Sequence, residues 1–538
     1  MARDLHADMD TLRTVLNLAQ NRDIEGAAAL AEKTLASGFE HPLLLNVIAT
    51  RLEMQGRLVE ALKLLERAVG MAPNDLGARS ALSVCLLRME RAPEALQHLD
   101  ELLKRNPQLA FAHANRGNAL IALGALGAAE QSHRRALELE PGNLAATVAL
   151  ASIATQRGDH ATARRHAQEA LAKAPGFPDA ILSVAAADLS EGDHASAERM
   201  LQQIIIDGRA SDLDRARATS LLGDVLDSAG RYREAFEAYQ TSNQALKNIY
   251  RRFADSGALA YARSLSQALQ RVPAESWRQD SPEERTEGPA EHVFLIGFPR
   301  SGTTLLEVVL DGHSQVESLE EHELLTDAVL RYMREPLDLE ALARAGDAEL
   351  ETLRASYWDA ARRGGATLSG KVFIDKYPLN TLKLALIAKL FPRAKILFAV
   401  RDPRDVVLSC FRRRFKMNPA MFELLTLRGA AAFYDAVMAF GATAREVLPL
   451  NCLEVRYEQL VEDFEPKMRA VCDFLAIEPS ADLAAVAERA RQREHATPST
   501  AQLSKGITSA AVAHWRHYQA ELAPIEATLK PWVERFGY

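Results

Sequence analysis

Along the first half of the chain, small apolar residues recur at a spacing suited to paired helices. Ala27, Ala61, Ala95, Ala129, Ala163 and Ala197 follow one another at intervals of 34 residues, and Ala235 follows after 38. The longer interval implies a four-residue insertion between Asp207 and Asp214. Gly56, Gly124, Gly158, Gly192 and Gly230 stand five positions before their alanine. Ala68, Ala136 and Ala170 stand seven after it, and Pro73, Pro107, Pro141 and Pro175 twelve after it. Each unit reads as a helix, a turn at the glycine, a second helix and a proline stop. The alanines let the paired helices approach closely. Seven such units span roughly residues 10–245.

From residue 292 the pattern changes. Short apolar runs, Val293–Phe298, Val372–Asp375, Lys395–Val400 and Cys452–Arg456, alternate with helical segments. This rhythm predicts an α/β fold with a parallel sheet, whose ligands sit beyond the carboxyl ends of the strands. Between the halves, Leu246–Val272 reads as helical and Arg278–Pro289 as a polar linker. The expected organisation is a repeat domain over 1–250, a helical junction and linker over 251–290, and an α/β domain over 291–538.

Composition adds exclusions. A formal charge of −8 argues against general nucleic-acid binding. The first ten residues lack the apolar core of a signal peptide, and no run of about 18 apolar residues exists, so no membrane span is expected. Cys85, Cys410, Cys452 and Cys472 lack metal-ligand spacing and read as buried thiols in a reducing cytoplasm.

The strand ends carry the candidate chemistry. After the first comes Pro299-Arg-Ser-Gly-Thr-Thr304, a turn of small and hydroxylated residues that opens a helix near Ser301. Backbone N–H groups at a helix N-terminus bind anions, and Arg300, Ser301, Gly302, Thr303 and Thr304 would add a guanidinium, hydroxyls and close backbone approach. The lysine of the nucleotide-triphosphate loop Gly-x-x-x-x-Gly-Lys-Ser/Thr is missing, which argues against a kinase or an ATPase. After the third strand comes Arg401-Asp-Pro-Arg-Asp-Val-Val-Leu-Ser409. Asp402 can cap a helix starting at Pro403, with Ser409 and Arg413 four apart on one face and Arg401 at the strand end, enclosing a second phosphate.

The 34-residue helix–turn–helix period resembles the tetratricopeptide repeat. Stacked units of that kind present a groove to proteins or peptides; a spacer or dimerisation arm is the alternative. The two anion motifs together resemble the 5′-phosphosulfate loop and 3′-phosphate site of sulfotransferases that use 3′-phosphoadenylyl sulfate (PAPS). The resemblance is greatest to tyrosylprotein sulfotransferases and to bacterial proteins that join tetratricopeptide repeats to such a domain. It implies an α-solenoid followed by a P-loop-like α/β sulfotransferase domain. That domain would transfer a sulfonyl group from PAPS to an acceptor hydroxyl, a protein tyrosine first of all, and release adenosine 3′,5′-bisphosphate (PAP) without a metal.

Residue by residue, the resemblance implies Glu321, seventeen beyond Thr304, as general base, with Glu320, His313 and His322 as neighbouring alternatives. It implies Lys376 and Arg300 as the groups that neutralise charge on the leaving oxygen. Arg401, Ser409 and Arg413 would bind the 3′-phosphate and Tyr457 the nucleotide. Ser499 would modulate the lysine, and Lys505 would contact the 3′-phosphate. Departures are His514, where the family has a lysine, Leu319 in place of a glycine, and Glu323 where animal enzymes carry an arginine for acidic peptides. A carbohydrate or small-molecule acceptor, and a non-enzymatic repeat scaffold, are the competing readings.

Overall fold

The computed structural model describes residues 5–278, 288–334, 337–368, 370–480 and 507–538. Two compact units form, residues 1–154 with 161–180 and residues 155–160 with 181–538.

The first unit is built of helix pairs, such as Pro42–Met54 with Leu58–Met71 and Ala110–Ala122 with Leu126–Leu139. Ala27, Ala61, Ala95, Ala129 and Ala163 have no exposed surface, as the 34-residue frame requires. Small residues also make room for large ones: a Cβ on Gly117 would lie 2.4 Å from the His133 ring. His133 is fully buried, and burial pushes its imidazole down to about 4. The turn glycines Gly56 and Gly124 take left-handed backbone, at φ 74° and 83°. Arg22 and Glu90 occupy the same turn position in their units, five before Ala27 and Ala95, and are forced to φ 65° and 61°.

The second unit contains the final repeat, whose helices are Asp212–Ser228 and Tyr232–Ile249. It reuses the small-against-large device: a Cβ on Gly223 would lie 2.5 Å from the Tyr239 ring. The helical stretch expected over Leu246–Val272 is broken. One helix ends at Ile249, and another, Ala258–Gln270, restarts after Gly257 at φ 70°. Its stripe Ala262, Leu265 and Leu269 is buried in the same core as Phe294 and Ile296 of the sheet. Each fully buried leucine contributes roughly 1.5–3 kcal/mol, so this helix is part of the α/β core.

The sheet has five parallel strands, β1 Glu291–Gly297, β2 Val316–Glu320, β3 Val372–Lys376, β4 Lys395–Val400 and β5 Asn451–Arg456. Their order is β2-β3-β1-β4-β5. Alternation along β1 divides the core. Phe294 and Ile296 face one layer with Phe373, Ile396 and Phe398, while Val293 and Leu295 face the other with Ile374, Leu397 and Val455. β2 is an edge strand that the sequence pattern does not announce. It has five residues, and two of its middle positions, Glu317 and Ser318, are only half-buried. Chain order reverses around β1, whose neighbours are β3 and β4, so a crevice is expected where β1 ends. Among the described residues no helix is long and apolar enough to cross a membrane.

Candidate active site

At the end of β1 the chain turns sharply through Pro299–Gly302 and enters the Thr303–Leu310 helix. That helix starts two residues later than Ser301, because Gly302 stands at its N-cap with φ 99°. A Cβ on Gly302 would come within 2.7 Å of the Tyr457 ring, so only glycine keeps the loop closed against that tyrosine. Ser301, Thr303 and Thr304 are buried. Arg300 takes left-handed backbone at φ 71°, a strained choice for a residue with a Cβ, and its Nε donates to Ser409 Oγ at 3.0 Å.

The second motif meets the first there. Asp402 caps the Pro403–Arg412 helix by accepting from Arg404 N at 2.9 Å. Arg401, buried at the end of β4, donates through Nη1 to the Arg300 carbonyl at 3.3 Å. Its guanidinium lies over the Tyr457 ring, 4.7 Å from the centroid. Arg413 does not share a helix face with Ser409. It lies one residue past the helix end in extended backbone, and its Nη1 pairs with Asp224 Oδ2 at 3.0 Å. Arg300, Gly302, Thr303, Thr304, Arg401, Ser409, Arg413 and Tyr457 line one cavity of about 510 Å³. Burial, then the charges of Arg413 and Arg401, push the Arg300 guanidinium down to about 9. Cations crowded among hydroxyls and helix N–H groups form a site that an anion would relieve.

A second cluster lies at the ends of β2 and β3. Lys376, the last residue of β3, has no exposed surface. Its Nζ lies 2.8 Å from Glu320 Oε1, 2.9 Å from Glu321 Oε1 and 3.5 Å from Glu307 Oε2. Burial alone would lower its basicity, but the charges of Glu320, Glu307 and Glu321 outweigh that and raise it. Register explains the meeting: Glu320 is the ladder partner of Lys376, and Glu321 N donates to the Lys376 carbonyl at 2.8 Å. Glu321 is the most exposed acid of the cluster, its side chain 45% accessible, and it too is left-handed, at φ 52°. Lys376 and Glu321 are not among the residues that line the cavity. Glu307 joins the cluster to the helix that follows the anion loop.

The alternatives to Glu321 have other employment. His313 accepts from Gln315 N at Nδ1, 3.1 Å, and donates from Nε2 to the Glu478 carbonyl, 2.8 Å, so both ring nitrogens serve the backbone. The Nδ1 of His322 lies 2.8 Å from the Glu320 carbonyl. Glu320 is buried against Lys376. Ser499 and Lys505 lie outside the described residues. Among the described residues no group of three or more His, Cys, Asp or Glu has the arrangement of a metal site.

Sequence reasoning missed Glu307, although a signal existed: it is the single charge in Leu305-Leu-Glu-Val-Val-Leu310, a helix buried on every side. It also missed Asp224 and Asp227, which belong to the repeats and give no local sign of their partners 189 and 185 residues away.

Known proteins match the chain in two regions. Residues 292–482 match the sulfotransferase family, and residues 12–75, 52–114, 116–178 and 154–224 match tetratricopeptide repeats. Residues 292–482 are thus a sulfotransferase-family domain, preceded by tetratricopeptide repeats. Over 191 residues the chain is 30% identical to protein-tyrosine sulfotransferase 1 of Danio rerio, covering 34% of this chain and 53% of that protein. Over 259 residues it is 27% identical to protein-tyrosine sulfotransferase 2 of Gallus gallus, covering 46% and 69%. The sulfotransferase domain of the Synechococcus olefin synthase aligns over 48% of this chain and 99% of its own, at 23% identity and a TM-score of 0.33. The chain spans only about half the length of some curated relatives it matches.

Proposed function

We propose that this chain is a PAPS-dependent sulfotransferase whose acceptor is a tyrosine hydroxyl of a protein, recruited by the repeats. The observation that carries the reading is the cavity in which Arg300, Arg401 and Arg413 converge with Thr303, Thr304 and Ser409. These residues fit a nucleotide that bears two separate anionic groups. Arg300, Ser301, Gly302, Thr303 and Thr304 would hold the 5′ end, Arg401, Ser409 and Arg413 the 3′-phosphate, and Tyr457 the face between them. Lys505 and Ser499 belong to the same proposal.

The nucleotide supplies the sulfonyl group. The protein supplies a base, charge and orientation. Glu321 takes the acceptor proton as the new O–S bond forms and the S–O bond to the 5′-phosphate breaks, leaving PAP. Lys376, 2.9 Å from Glu321 Oε1, orients that carboxylate, and Arg300 with Lys376 offsets charge on the departing oxygen. Glu323, tied to Lys383 at 2.6 Å, places another carboxylate near the base, so a tyrosine without acidic neighbours suits this site better than one among them.

Incubation of the full chain with PAPS and tyrosine peptides, read by mass spectrometry, tests the assignment. Sulfated tyrosine is expected, with neutral peptides favoured over acidic ones. Sulfation of sugars or small molecules alone would replace the acceptor, and tighter binding of ATP than of PAP would overturn the nucleotide. Glu321→Ala should lower turnover by about 10²–10⁴-fold while PAP binding persists.

A further inference from the structure

The final repeat reaches into the nucleotide site. Two carboxylates three residues apart on the Asp212–Ser228 helix face two adjacent arginines. Asp227 Oδ2 lies 2.6 Å from Arg412 Nη2, and Asp224 Oδ2 lies 3.0 Å from Arg413 Nη1. Both acids are themselves fixed. The Tyr239 hydroxyl donates to Asp224 Oδ1 at 2.8 Å, and Asp227 Oδ1 takes His514 Nε2 at 2.9 Å and the Tyr518 hydroxyl. The same helix pair also packs against the end of the Pro403–Arg412 helix. Phe236 stacks on Phe411 at 5.3 Å, and Asn243 Nδ2 donates to the buried Phe411 carbonyl at 2.8 Å. Packing alone would explain the aromatic and amide contacts. It does not explain a carboxylate placed on Arg413, a residue that lines the same cavity as Arg300.

We propose that Asp224 is a positioning residue of the nucleotide site, holding Arg413 where a 3′-phosphate is read, so that the last tetratricopeptide repeat is a working part of donor binding. This rests on the reading of the cavity as a site for a nucleoside 3′,5′-bisphosphate. An arginine just past a helix end, in extended backbone, has several rotamers open to it. Asp224 removes that freedom before the ligand arrives, and the cost of ordering Arg413 is no longer taken from binding. Asp224 is in turn held by Tyr239, on the second helix of the repeat. A displacement of that helix pair would therefore be felt first at the 3′-phosphate.

The test is calorimetric titration of the full chain with PAP and with adenosine 5′-monophosphate, which lacks the 3′-phosphate. Asp224→Asn should weaken PAP by about 3–10-fold and the monophosphate by less than about 2-fold, and the double variant with Arg413→Ala should be no weaker than Arg413→Ala alone. Tyr239→Phe, which keeps both charges, should weaken PAP in the same direction, an effect lost in the Arg413→Ala background. Additive losses, equal losses for the two nucleotides, or unchanged or tighter PAP binding in Asp224→Asn would each overturn the proposal. Wild-type protein that bound no PAP would instead remove the nucleotide reading beneath it.

Discussion

Lys376 has no exposed surface and three carboxylates within 3.5 Å. Glu307 has no exposed surface either and Glu320 is buried, so removal of the lysine strands negative charge in the core. Lys376→Ala is expected to cost about 3–5 kcal/mol of stability, whereas Glu321→Gln, at a half-exposed side chain, should cost less than about 1 kcal/mol. Urea titration of the two variants separates them, and similar losses would show that the cluster is not held together by Lys376. Next to it, Asp375 is buried and accepts from the Tyr357 hydroxyl at 2.9 Å. Burial pushes its carboxyl up to about 7, against 3.8 for the free side chain. The folded protein thus keeps a proton that the unfolded chain has released. Stability should be greatest, for this group, below about pH 4 and decline as pH rises to about 7. Asp375→Asn should flatten that part of the profile, and an unchanged slope between pH 4 and 7 would exclude Asp375 as its origin. The sequence displayed Arg300, Gly302, Thr304, Arg401 and Ser409 because each belongs to a short motif beside a strand end. A Lys376–Glu321 pair is legible in the sequence, but Glu320 as a partner is hidden, because the pattern does not announce β2 and so shows no ladder partner for Lys376.

Among the elements, the repeats were the most legible, since one frame alanine recurs seven times, five of them with a turn glycine, and every frame alanine is buried without remainder. The Ala258–Gln270 helix was less so. Its apolar stripe is short, and what it packs against, Phe294 and Ile296, lies beyond a polar stretch that reads as a boundary. The frame also exposes its own exceptions. Glu90 sits where other units have glycine and adopts φ 61°. A residue with a Cβ there costs about 1–2 kcal/mol, partly offset by the lower entropy of its unfolded chain. Glu90→Gly should therefore raise stability by about 0.5–1 kcal/mol, measured by urea titration, and a loss of stability would mean that the Glu90 side chain itself does structural work. Ala163 has no exposed surface. Ala163→Leu should destabilise its unit by about 1–3 kcal/mol.

On the scale of the whole chain, the formal charge of −8 contrasts with the cavity of the second half, which Arg300, Arg401, Arg412 and Arg413 line together with Asp224, Asp227 and Asp405. The division into two compact units places every described residue of that cavity in one of them, together with the final repeat. A ligand stabilises only what it binds, by RT ln(1 + [L]/Kd). PAP at about a hundred times its dissociation constant should therefore add about 2.7 kcal/mol to the unit formed by residues 155–160 and 181–538 and nothing to the other. Chains built of two units need not unfold in one step. Scanning calorimetry is expected to resolve two transitions, of which PAP raises one. Ala163→Leu, in the unit that holds residues 161–180, should lower the other and leave the PAP-sensitive one in place. A single transition that responds to both the ligand and the alanine substitution would show that the repeats and the sulfotransferase-family domain unfold as one cooperative body. The wiring through Asp224 would then be one strand of a coupling that runs through the entire array.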